Sequence, residues 1–215
     1  MRQITFISGH YGSGKTEFAI NLSIQKKIDY LIDGDIINPY FRSREHKELL
    51  EKHHIKVISS PLDKALGSDL PYISKDFYLP FQEKTKKAIF DLGGSATGAR
   101  IVRQITEKIT EEIDHLCCIN IYRPETANIE GIKDTILSIE EASGLKVTGL
   151  INNSNYLRET HIDDVIRAEI ILKQVSQELS LPIVYTALID LLNEKHHPFL
   201  GEVIKMKLYL RNLWL

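Results

Sequence analysis

Cysteine is nearly absent from this chain. The 215 residues hold two, adjacent at Cys117 and Cys118, so no disulfide framework can be drawn from them. A cysteine-based zinc site with the usual ligand spacing is excluded as well. An excess of charge is also missing. Lys plus Arg number 27 and Asp plus Glu 29, a net charge of −2, whereas a generic nucleic-acid binder carries a basic surplus. No run approaches the ~18 apolar residues of a membrane span. The apolar stretch at residues 4–8 is too short for a secretory signal. These absences lead to an expectation of a cytoplasmic protein with no nucleic-acid partner and no membrane span. Hydrophobic residues at 43% and charged residues at 26% are ordinary for a globular chain. At roughly 150 residues per domain the length fits a single domain over residues 1–215.

Glycine is not abundant either: 12 residues, a little under the usual ~7%. Its distribution is uneven. Gly9, Gly12 and Gly14 fall in one short span, and Gly93, Gly94 and Gly98 in another. Glycine weakens regular structure, so such clusters mark backbone that must approach something closely.

Along the chain, short apolar runs alternate with helical periodicity. Strands are expected at residues 4–8, 30–33, 56–58, 88–91, 116–121, 147–151 and 182–184. Helices are expected at 15–27, 41–52, 99–109, 126–142 and 162–179, with a final apolar helix over 201–214. Its apolar residues spread around the helix, which points to burial rather than membrane contact. Residues 59–84, with Pro61, Pro71 and Pro80, read as a long irregular loop with at most a turn or two of helix. Alternation of this kind implies a mostly parallel central sheet with helices on both faces. Neighbours in a strand diverge, so Cys117 and Cys118 should face opposite sides as small core residues. The pairs His53–His54 and His196–His197 lack ligand spacing and read as surface histidines.

The first glycine cluster runs Gly9-His10-Tyr11-Gly12-Ser13-Gly14-Lys15-Thr16. It fits G-x-x-x-x-G-K-[ST] at every fixed position, with a strand before it and a helix starting inside it. Such a loop turns backbone N–H groups inward around phosphate oxygens. The helix N-terminus adds partial positive charge at the same point. Lys15 would bridge the β- and γ-phosphates, and the Thr16 hydroxyl would ligate Mg²⁺. The strand at 88–91 ends in Asp91 as a Walker B strand does. Asp91-Leu92-Gly93-Gly94 has the D-x-x-G form in which a glycine amide, here that of Gly94, contacts the γ-phosphate. The strand at 30–33 leads into Asp33-Gly34-Asp35. Ligands of open parallel sheets sit at the carboxyl ends of strands, so Asp33, Asp35 and Asp91 should converge on the loop. Asp33 reads equally well as a polar turn after a buried strand.

The segments GHYGSGKTE, LIDGDIINPYFRSRE, IFDLGG and GLINNSN together resemble the MinD/ParA/CobQ-type P-loop ATPases across essentially the whole chain, most strongly over residues 1–100. The resemblance implies a three-layer α/β P-loop NTPase fold that binds ATP and Mg²⁺. It makes Asp35 the carboxylate of hydrolysis and a metal-site residue beside Asp91 and Thr16. It makes Glu17 part of the nucleotide site and Asn153 the adenine-contacting residue. The family's signature lysine, which reaches across a homodimer to the partner's nucleotide, is replaced here by His10. Arg42, Arg44, Arg100 and Arg103 are candidates to supply the missing cation, Arg42 first among them. Related GTPases carry an N-K-x-D or T-K-x-D guanine motif. Asn152-Asn153-Ser154-Asn155 lacks its Lys and its Asp, which favours ATP. Three functions follow: a slow ATPase switch acting on a protein partner, a phosphoryl-transfer enzyme resembling CobB or dethiobiotin synthetase with a small-molecule substrate, and a nucleotide-bound scaffold.

Overall fold

Apolar runs bounded by glycine and aspartate become the strands of one sheet. This computed structural model describes residues 1–34, 47–59, 75–93, 102, 103, 105, 112–190, 192 and 197–210. Within them the strands are β1 (Ile4–Ser8), β2 (Tyr30–Asp33), β3 (Lys56–Ser59), β4 (Ala88–Asp91), β5 (Asp114–Ile119), β6 (Gly149–Asn152), β7 (Ile183–Ile189) and β8 (Glu202–Met206). The helices are α1 (Lys15–Lys26), α2 (Lys47–Lys52), α3 (Leu79–Gln82), α4 (Ile129–Ser143) and α5 (Ile162–Leu179). The sheet order is β3-β2-β4-β1-β5-β6-β7-β8, and every pairing is parallel. β1 and β4 are buried at each position, as strands covered on both faces must be. The chain leaves β1 toward β2 on one side, and from β4 it crosses to β5 on the other. The sheet's winding therefore reverses at β1, where the crevice of an open α/β sheet lies.

Two apolar layers flank the sheet. On one face Phe18, Ala19 and Leu22 of α1 pack with Ile7, Cys118, Tyr185, Ile204 and Met206. On the other, Phe6 stacks on Phe90 with ring centroids 4.7 Å apart. There Ile132 and Ile136 of α4 and Ala168, Leu172 and Val175 of α5 cover Cys117, Ile119 and Leu150. The adjacent cysteines thus face opposite layers, as strand geometry requires. Among the described residues no helix is long and apolar enough to cross a membrane.

The sheet-and-helix alternation appears as expected, and α5 has the bounds that its periodicity gives. The C-terminal expectation is overturned: 202–206 is a strand, not a helix. The reason is visible in Ile204-Lys205-Met206-Lys207-Leu208-Tyr209-Leu210. Apolar residues fall on every second position, so a helix would scatter them while a strand gathers them on one side. Ile204 and Met206 are buried, and Lys205 between them is not. β7 is seven residues long rather than three, because the β-rich run through Thr186, Leu188 and Ile189 continues it. Of the helix expected at 99–109, Val102, Arg103 and Ile105 are described and are helical; its other residues and the first part of that at 41–52 lie outside the described residues.

Candidate functional site

The phosphate-type loop joins β1 to α1 at the reversal point of the sheet. Gly14 stands at the N-cap of α1 with φ 83°, and a Cβ there would lie 2.4 Å from Asn153 Nδ2. Gly9 has φ 150°, and its Cβ would lie 2.3 Å from the Cys118 carbonyl oxygen. Only glycine fits either place without displacing neighbours. Ser13 N–H donates to the His10 carbonyl at 3.1 Å, folding the loop back on itself. Lys15 is 8% exposed, and its Nζ donates to the same carbonyl at 3.0 Å. The loop's concavity thereby holds an ammonium and the start of a helix, an arrangement built for an anion. Thr16 follows in the first turn of α1, and Tyr11 stands 60% exposed at the tip.

Two carboxylates lie beside it. Asp33 and Asp91 are register partners at the ends of β2 and β4 and are both buried. Gly34 N–H donates to the Asp91 carbonyl at 2.8 Å, and Leu92 N–H to the Ile7 carbonyl at 2.9 Å. The ends of β1, β2 and β4 are therefore stitched together. Among the described residues no group of three or more His, Cys, Asp or Glu side chains could hold a metal ion. The donor set is instead a hydroxyl and carboxylate oxygens beside an anion cradle. It suits Mg²⁺, which takes one or two carboxylates and completes its shell with phosphate and water. Asp35 and Gly94 lie outside the described residues.

Sequence reasoning missed Arg123. Its Nε donates to the Gly12 carbonyl at 2.9 Å, which lays a guanidinium along the loop and leaves other N–H donors for an anion. The readable signal was positional: Arg123 follows β5, whose carboxyl end flanks the loop. Of the arginines considered from sequence, Arg42, Arg44 and Arg100 lie outside the described residues. Arg103 is exposed and sits by Gly144 at the end of α4. His10 Nδ1 lies 3.0 Å from the Tyr11 carbonyl and 3.4 Å from Glu125 Oε2. It is thus tied within the chain.

Asn153 is 1% exposed, and its Nδ2 donates to the Ser13 carbonyl at 2.7 Å. It ties the end of β6 to the loop. A cavity of about 290 Å³ opens from there, with Gly12, Arg123, Asn155, Tyr156, Met206 and Leu208 among its lining residues. Tyr122 and Tyr156, both on its wall, have ring centroids 4.0 Å apart. Glu17 also lines it, and the Glu17 carboxylate accepts from Tyr209 N–H at 2.6 Å. A second cavity of about 310 Å³ starts at Gly9 and His10 and runs along Glu125, Asp134 and Thr135.

Beneath the loop, His115 on β5 is fully buried, with Nε2 2.9 Å from Ser8 Oγ. Burial lowers its pKa from 6.5 to about 4. The unfolded chain takes up this proton near pH 6.5, and the folded chain does not until about pH 4. Stability should therefore fall as pH drops through that window, by a total on the order of 3 kcal/mol. Urea midpoints of wild type and His115→Gln, compared from pH 7.5 to 4, check this. The expected difference between the two curves narrows toward acid, and parallel curves would count against it.

No protein-family model matches the chain, and no curated protein does. Solved structures do match. The chain is similar to the cell division protein FtsY of Thermotoga maritima, with a TM-score of 0.60 and 20% identity, covering 87% of this chain and 62% of that one. It is similar to the signal recognition particle receptor FtsY of Elizabethkingia anophelis, with a TM-score of 0.52 and 16% identity, over 86% of this chain and 58% of that one. That receptor in complex with GDP gives a TM-score of 0.50 and 15% identity, over 87% and 57%. The chain thus spans about three fifths of the length of the structures it matches. At these identities the likeness is one of fold, and the chain has the three-layer α/β fold of the P-loop NTPases.

Proposed function

We propose that this chain is a single-domain, Mg²⁺-dependent ATP-binding protein of the MinD/ParA/CobQ kind that hydrolyses ATP slowly and acts as a nucleotide switch. The carrying observation is the loop at residues 9–16, with Lys15 turned into it and buried Asp33 and Asp91 alongside. Lys15 and the loop N–H groups hold the β- and γ-phosphates and meet the charge that develops as the terminal P–O bond breaks. Thr16 and Asp91 are the residues to hold Mg²⁺, with Asp35 near it by resemblance; the ion, when bound, neutralises phosphate charge. Asp35 is the proposed water-orienting carboxylate. Gly94 is the proposed γ-phosphate contact, and its release on hydrolysis would pass the signal to a partner protein.

Adenine is favoured over guanine. Guanine recognition uses a carboxylate that accepts from two donors of the base edge, and the lining of the 290 Å³ cavity offers Asn120, Asn153 and Asn155 instead. Its one carboxylate among the described residues, Glu17, is engaged by backbone N–H groups. Arg123 supplies in the same chain the cation that the signature lysine provides elsewhere, so a homodimer is not required for charge. A cytoplasmic location follows the same reading. The cavity beside His10 favours one further possibility, transfer of the γ-phosphoryl group to a small molecule bound there.

Titration of the purified chain with ATP and GTP, with and without Mg²⁺, tests the proposal. The expected result is ATP affinity at least about tenfold above GTP, a difference of about 1.4 kcal/mol, and loss of tight binding in EDTA. Equal or inverted base preference would overturn the adenine assignment. ADP release slow alone but accelerated by a metabolite pool would favour the transfer reading.

A further inference from the structure

Helix α1 carries Glu17, Asn21 and Gln25 four residues apart, hence on one face. A stripe of this kind normally faces water, yet Glu17 is 9% and Asn21 2% exposed. What covers them is the edge of the sheet. β8 pairs with β7 along one side and ends the strand order. The backbone groups on its other side need partners of their own.

The stripe partners β8 at Lys205 and then, in sequence, the segment 207–210 that follows the strand. Gln25 Nε2 donates to the Lys205 carbonyl at 2.7 Å. Asn21 Nδ2 donates to the Lys207 carbonyl at 2.9 Å, and Asn21 Oδ1 accepts from Lys207 N–H at 2.9 Å. Glu17 Oε1 accepts from Tyr209 N–H at 2.6 Å, and Glu17 Oε2 from Leu210 N–H at 3.1 Å. The last two are bonds to a charged acceptor, roughly twice as strong as neutral ones. Leu208 stands between the residues so held. With Met206 it lines the 290 Å³ cavity that opens from Gly12 and Gly14. One helix therefore begins at the phosphate loop and, from its first and second turns, grips the backbone that walls the adjoining cavity.

We propose that Glu17 and Asn21 are positioning residues that hold segment 207–210 as the wall against the nucleoside. They set affinity for the nucleoside part of the ligand and leave the triphosphate part to the loop. This deepens the ATP reading and rests on it. Because the stripe and the loop share α1, a shift of Leu208 on nucleoside binding is transmitted to the helix that carries Lys15.

The test separates the two halves of the ligand. The full-length chain is titrated with Mg²⁺·ATP and with Mg²⁺·tripolyphosphate, which engages the loop and has no nucleoside. Asn21→Ala is expected to raise the Kd for ATP about tenfold, equivalent to about 1.4 kcal/mol. The Kd for tripolyphosphate should stay within about twofold, since the loop keeps all its donors. Tyr209→Pro removes one N–H from the Glu17 carboxylate without touching α1. It should move ATP in the same direction, and it keeps the test open if Asn21→Ala does not fold. Parallel loss of both probes would overturn the proposal, because the stripe would then support the loop or the fold at large. Unchanged ATP affinity in both variants would overturn it too. A wild-type chain that binds neither probe fails earlier, at the nucleotide reading, and removes this one with it.

Discussion

Lys15→Ala is expected to remove nucleotide turnover, with a fall in kcat/KM on the order of 10²–10³-fold, the cost typical of losing one donor from a charge-stabilising site. The reasoning starts from the lysine's place. It is the first residue of α1, 8% exposed, with Nζ donating to the His10 carbonyl at 3.0 Å. A long side chain normally snorkels to water. Here it is folded over the loop instead, where its charge and the backbone N–H groups face the same space. Substitution removes the one ammonium among the residues that fit the loop motif, and Arg123, held at the Gly12 carbonyl from outside the motif, does not take its place. The substitution should cost the fold little. The side chain's bond is to a loop carbonyl rather than to the core, so the urea midpoint should move by less than that of a core deletion. ADP release measured beside urea unfolding checks both halves. Wild-type turnover in a folded Lys15→Ala protein would remove the phosphate role from this loop.

What was legible in the sequence was whatever rests on local spacing. The loop at 9–16 declares itself because each glycine answers a backbone requirement in a fixed order. Asp33 and Asp91 could be set side by side from their strands' carboxyl ends, and the structure pairs them in register. The C-terminal strand was less legible. Its every-second-residue pattern is present, but the longer apolar stretch over 201–214 also suits a buried helix. The free side of this edge strand is met by a side chain, Gln25 at Lys205, and the segment after it by Asn21 at Lys207, which no local pattern in 202–206 announces. Arg123 was missed for a related reason. A lone arginine after a strand is ordinary; its meaning comes from β5 lying next to β1, a fact of sheet order. Resemblance alone makes Asn153 a base contact. The described geometry adds that its amide ties Ser13 to β6, which local spacing does not reveal.

Among the described glycines, Gly9→Ala should be the most damaging single-methyl change. The residue has φ 150°, and the added carbon would meet the Cys118 carbonyl oxygen at 2.3 Å. That oxygen belongs to β5, which is held on both sides: Cys117 is the register partner of Ser8 on β1, and Cys118 that of Ile151 on β6. Neither neighbour can yield without breaking ladder hydrogen bonds in the centre of the sheet. The strain must instead distort the loop, and the backbone N–H groups then lose their common focus. A cost on the order of 3 kcal/mol or more is expected, which corresponds to a fall in Tm of roughly 10 °C for a chain of this size. Nucleotide affinity should fall with it. Gly144→Ala is the matched control. It has φ 71° at the end of α4, but among the described residues its added carbon would find nothing nearer than Arg103 Cγ at 3.9 Å. It carries the left-handed penalty alone, about 1–2 kcal/mol, and should bind ATP as wild type does. If the two variants unfold at the same temperature and bind ATP equally, close approach to β5 is not what reserves position 9 for glycine. If Gly9→Ala loses both stability and binding while Gly144→Ala loses only a little stability, the loop's geometry is imposed by the sheet beneath it.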